Sequence, residues 1–167
     1  MHKTILNLNE IKKEIYSKNS ENEFNIRIIA VTKTFLMRDI QHLIDDGHLH
    51  FGENKVQEAV DKWTNVKLKF PNLNLHMIGK LQTNKVKYVV KLFDYIHSLD
   101  SLKLAKKISE EQNKIKKKLK IFVQVNIGNE SQKGGVSVDN LENFYKICIE
   151  DLNLDIVGLM CIPPVSD

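Results

Sequence analysis

Lys33 is the residue whose surroundings point most directly to chemistry. It closes an otherwise apolar run, Arg27-Ile28-Ile29-Ala30-Val31-Thr32-Lys33-Thr34. Such a run, rich in β-branched residues, reads as a buried parallel strand. A lysine where that strand opens into its loop stands where βα proteins keep their chemistry. Partial desolvation there lowers the pKa of an amine and populates its nucleophilic form, which imine formation with an aldehyde requires. Taken alone, the segment reads more readily as a lysine snorkelling from a strand end. Three further polar clusters fall at expected strand ends: Gly52-Glu53-Asn54-Lys55, the stretch from His76-Met77-Ile78-Gly79 to Lys85, and the stretch from Asn126 through Lys133-Gly134-Gly135-Val136. Singly, each also reads as a helix cap or polar turn. His97 reads as a packed histidine, and Lys133 as an exposed amine in a glycine-flanked loop.

The elements that must position these groups alternate between two periods. Helical spacing of Leu8, Ile11 and Ile15 predicts a helix over 4–16, before the strand that ends at Lys33. A helix over 38–46 carries Ile40, Leu43 and Ile44 on one face, with Gly47 as its C′ residue. A strand at 48–51 precedes a helix with Val56, Ala59, Val60 and Trp63 aligned. Strands at 74–79 and 94–99 precede helices over 83–92 and from about 101. A strand at 121–126 is followed by a helix that Asp139 and Glu142 fit as a capping box. A last strand, 154–160, runs into Pro163-Pro164. Six strands with intervening helices and short connections imply parallel pairing and right-handed crossovers. No Gly-x-Gly-x-x-Gly follows any of them, which disfavours a dinucleotide fold and favours a (β/α) TIM-type barrel within a single domain, 1–167.

Composition narrows the function. At 167 residues and 42% apolar content the chain suits one soluble domain, with no stretch of membrane-spanning length and no signal-peptide pattern, so a cytoplasmic location is expected. Cys148 and Cys161 follow no metal-ligand spacing. The net charge is +4, yet only Arg27 and Arg38 among the 25 basic residues are arginine. Nucleic-acid readers favour the bidentate guanidinium, so no nucleic-acid partner is expected. The densest basic run, 114–120, ends a helical pattern where cations complement the helix dipole.

Together the clusters form an ordered series: Ala30-Val31-Thr32-Lys33-Thr34, Phe51-Gly52-Glu53-Asn54, His76-Met77-Ile78-Gly79 with Leu81-Gln82-Thr83-Asn84-Lys85, and Gly158-Leu159-Met160. This series resembles the pyridoxal phosphate homeostasis proteins, single-domain relatives of the alanine racemase N-terminal barrel. The resemblance implies that Lys33 holds pyridoxal 5′-phosphate (PLP) as an internal aldimine. It also implies a carrier or buffering role in vitamin B6 balance rather than catalysed turnover, with PLP-dependent apoenzymes as possible partners. On the residues themselves, Asn54 is suited to hydrogen-bond a ring substituent, and His76 and Met160 to line the pocket. The alternatives are a PLP-dependent amino-acid racemase and a remnant with weak or no PLP binding. A racemase needs a second acid–base residue, in alanine racemase a tyrosine, and none of Tyr16, Tyr88, Tyr95 and Tyr145 falls at an expected rim position. The resembled barrel continues for two more βα units that bear its phosphate-binding segment. The sequence is therefore expected to be a truncated or split member, retaining PLP weakly and exposing its first and sixth strands as edges.

Overall fold

Side chains alternate across a strand, so each strand of a barrel offers one row to the helices and one to the interior. The computed structural model describes residues 2–18, 26–128 and 134–163 and shows this division clearly. Helix α1 (Lys3–Lys18) leads to β1 (Ala30–Val31), α2 (Met37–Asp45), β2 (His50–Glu53), α3 (Val56–Lys69) and β3 (Asn74–Met77). There follow α4 (Val86–Leu92), β4 (Tyr95–Leu99), α5 (Leu102–Ile115), β5 (Lys120–Asn126), β6 (Val136–Ser137), α6 (Leu141–Lys146) and β7 (Asp155–Met160). Every pairing is parallel, in the order β1-β2-β3-β4-β5-β7, while the two-residue β6 pairs with Val125 and Asn126 at the end of β5. The architecture is a (β/α) barrel wall, six strands of the eight that close such a barrel.

The helix-facing row builds the core. Phe51, Leu75, Met77, Ile96, Ile121 and Val123 are fully buried, against a helix layer that includes Ala59, Trp63, Val86, Val89, Leu104 and Ile108. Each large apolar side chain so buried contributes about 1.5–3 kcal/mol. The interior row is of different chemistry. From the strand register, His50 and Gly52 of β2, His76 of β3, Tyr95 and His97 of β4, and Phe122 and Gln124 of β5 share that face.

The predicted helices and strands are present, with instructive shifts. Gly47 adopts φ +83° after α2, as its C′ role requires. Ser101 caps α5, its side chain accepting from Leu104 N–H at 3.4 Å. The first strand is shorter and less buried than its composition suggests: only Ala30 and Val31 pair, and Val31 is 46% exposed because β2 is its sole strand neighbour among the described residues. Gly52 and Glu53 belong to β2 itself instead of the loop beyond it. The expected capping box at Asp139 and Glu142 does not form. Asn140 Nδ2 donates to Ser137 Oγ at 2.9 Å, a 3₁₀ turn covers Val138–Asn140, and Glu142 accepts from Lys146 at 2.7 Å. Lys133 and Pro164 lie outside the described residues.

Candidate functional site

The C-terminal ends of the strands carry Lys33. Thr32 continues the β1–β2 ladder by donating its N–H to Gly52 O at 2.9 Å. The chain then turns, with Phe35 N–H donating to Thr32 O at 3.2 Å and Thr34 at φ +69°, a backbone region β-branched residues rarely occupy. Lys33 stands inside this turn and is exposed. Val31 pairs with Gly52, so Lys33 follows the end of β1 as Asn54 follows the end of the neighbouring β2. Asn54 is half-buried and lines a pocket of about 250 Å³ with Lys80, Gln82 and Lys85. Gly79 passes so close that a Cβ there would stand 2.2 Å from Asn54 O, so only glycine lets the loop after β3 lie against the loop after β2.

The four sequence-predicted site residues occupy three places. Lys33 and Asn54 sit at adjacent strand ends. Met160, half-buried, pairs with Gln124 at the end of β7, on the other edge of the sheet. His76 lies deeper, buried within β3. There it joins a row of imidazoles: His50 Nδ1 meets His76 Nε2 at 3.0 Å, and His76 Nδ1 meets His97 Nε2 at 2.8 Å. One nitrogen of each pair donates, so the tautomer of the central ring fixes the direction of both bonds. Tyr95 stacks on His76 with centroids 4.2 Å apart, and Phe122 stacks on His97 at 4.4 Å. Burial, aided by the charge His97 and His50 would carry, pushes His76 down to about 3; burial alone pushes His97 down to about 4. These rings are neutral at pH 7. They form a polar floor beneath the mouth.

Two groups were missed in the sequence. His50 carried no signal beyond its place in a row that register alone assembles. Glu53 appeared to be a turn residue, yet it is fully buried on the helix side of β2. Its Oε1 accepts from Thr32 Oγ1 at 2.7 Å, from Lys62 Nζ at 2.9 Å and from Trp63 Nε1 at 2.9 Å. Lys62 Nζ also donates to Thr32 O at 2.8 Å. The helical step that places Trp63 beside Glu53 brings Lys62 with it. Of the tyrosines, Tyr16, Tyr88 and Tyr145 lie on α1, α4 and α6, and Tyr95 begins β4.

A wall of parallel βα units with a lysine at the end of its first strand defines a class, and comparison with known proteins agrees. Residues 6–167 match the alanine racemase N-terminal domain family. The pyridoxal phosphate homeostasis protein of Pasteurella multocida is 36% identical over 145 residues, 87% of this chain and 62% of that protein. The protein of the same name from Buchnera aphidicola is 34% identical, over 99% of this chain and 73% of its own length. The chain thus spans roughly three fifths to three quarters of these relatives. PipY of Synechococcus elongatus, solved with PLP bound, superposes with a TM-score of 0.77 at 31% identity, covering 92% of this chain and 71% of PipY. The alanine racemase of Clostridium difficile, 16% identical with a TM-score of 0.65, shares the fold. The chain belongs to the family of pyridoxal phosphate homeostasis proteins.

Proposed function

We propose that this chain holds pyridoxal 5′-phosphate through the Lys33 amine, as one cofactor-binding domain, and serves vitamin B6 balance in the cytoplasm without turning over an amino acid. The observation that carries this reading is the exposed Lys33 on a turn at the strand ends, next to the strand end that carries Asn54. The donor set suits the group: an amine open to an aldehyde, an amide one strand away, and a thioether at Met160 on the far edge. When bound, the cofactor supplies an aldehyde that condenses with a free amine and releases one water. Lys33 would be the attachment point, Asn54 the ring's hydrogen-bonding neighbour, and Met160 an apolar wall. His76, held neutral below, would form the floor rather than carry charge. PipY, a relative solved with PLP bound, supports the reading that the cofactor is PLP. The corresponding partners are apoenzymes that need the cofactor. None of the described tyrosines ends a strand at this face, which favours holding over racemisation.

The test is to mix the chain with pyridoxal phosphate, reduce with borohydride and map the peptides. The pyridoxyl label is expected at position 33 and absent there in Lys33→Ala, without transfer to one other lysine. Label spread evenly over the lysines of the wild-type chain would refute the proposal.

A further inference from the structure

We infer that the buried Glu53–Lys62 pair is a positioning device for Lys33, holding the backbone from which its amine projects. The inference rests on the role proposed for Lys33 above and names residues that act through Thr32. Thr32 is 3% exposed and tied at every polar group it has. Its N–H donates to Gly52 O at 2.9 Å, its hydroxyl to Glu53 Oε1 at 2.7 Å, and its carbonyl accepts from Lys62 Nζ at 2.8 Å. That carbonyl also closes the turn containing Lys33, through Phe35 N–H.

Strand pairing alone does not account for so fixed a turn. β1 pairs through only two residues, and Val31 beside Thr32 is half exposed. The turn also holds Thr34 at φ +69°, a conformation that persists only where neighbouring contacts enforce it. The contacts that hold Thr32, where this turn begins, come from β2 and α3, through one carboxylate oxygen that takes three donors and one ammonium that bridges it to the Thr32 carbonyl. A buried ion pair is seldom more stabilising than apolar packing of the same volume. Here it fixes a direction instead, because Lys62 reaches from a helix to a strand-end carbonyl, a bond that packing alone would not demand. Trp63, fully buried beside the pair, orients Glu53 by donating to the same oxygen.

The experiment compares the full wild-type chain with Lys62→Met, with the Glu53→Gln/Lys62→Met double variant that leaves no orphan charge, and with Thr32→Val. The first measurement needs no cofactor: amide hydrogen exchange at Thr32 and Phe35, whose N–H groups donate to Gly52 O and Thr32 O. It is expected to speed up at least about tenfold in the Lys62 variants and about threefold in Thr32→Val, with β3, β4 and β5 unchanged. The second is borohydride mapping after incubation with pyridoxal phosphate across pH. The share of label at position 33 should fall at least about tenfold relative to other lysines in the Lys62 variants, since small misplacements of a reacting group cost large factors. Unchanged exchange in β3, β4 and β5 alongside that fall separates it from mere loss of stability. Exchange at Thr32 and Phe35 that stays at the wild-type rate in whichever of these variants fold overturns the inference, as does an unchanged label share. If the wild-type chain takes no label at position 33 while exchange responds as expected, the positioning device stands and the cofactor reading fails.

Discussion

Lowering the pH from 7 to 5 should weaken this fold by about 4 kcal/mol through two imidazoles. His76 and His97 have ordinary values near 6.5 when unfolded, and the fold holds them at about 3 and about 4. Between those limits the unfolded chain binds protons that the native chain refuses, so stability falls as pH falls. At pH 5 the solution lies about 1.5 units below the unfolded value and still above both folded ones. At about 1.36 kcal/mol per unit, each ring accounts for about 2 kcal/mol. The loss continues until the folded values are passed near pH 3. Urea unfolding followed by emission of Trp63, the single tryptophan and fully buried, measures it at both pH values. His97→Gln keeps a polar partner for His76 and removes one titrating ring, so its dependence should shrink by about 2 kcal/mol. His48 and His50 are lowered too, by burial first, and add in the same direction in both chains. A wild-type stability that is level from pH 7 to 5, or a variant as pH-sensitive as the wild type, would refute the neutral imidazole row.

Other perturbations probe the mouth and the edge. Gly79→Ala places a methyl 2.2 Å from Asn54 O and should cost at least about 2 kcal/mol in chemical denaturation, because the obstruction is backbone; an unchanged midpoint would show that these loops separate freely. On β7, Val157 is 42% and Leu159 56% exposed and β5 is the sole strand neighbour among the described residues, so the chain should self-associate with rising concentration. Leu159→Lys should reduce that association in sedimentation, whereas equal behaviour of the two chains would show that this face takes no part.

The order of elements was legible because apolar runs of period two alternate with helical spacing at nearly every crossover. Lys33 was legible for the same reason: a charge ending an apolar run is conspicuous. Gly79 was placed in a distinctive segment, but its closeness to Asn54 depends on how two loops converge. Glu53 was opaque since its partners, Thr32 and Lys62, are separated from it by a crossover and by a helix turn. Nothing in the sequence sets Lys62 apart from the other lysines. The imidazole row was opaque in another way: His50, His76 and His97 come from three strands, and only register makes them neighbours. The 136–142 segment failed as a capping box because Glu142 finds Lys146 one turn ahead, leaving Asn140 and Ser137 to set the helix start.

A wall with aliphatic packing on one surface and imidazoles on the other separates cohesion from adaptability. The oily layer under the helices resists substitution, since lost methylenes there leave holes. Rings on the concave surface exchange hydrogen bonds among themselves, so new polar residues can be accommodated if donors and acceptors still match. Descendants of such a chain can therefore retune what the concavity accepts while keeping the scaffold that encloses it.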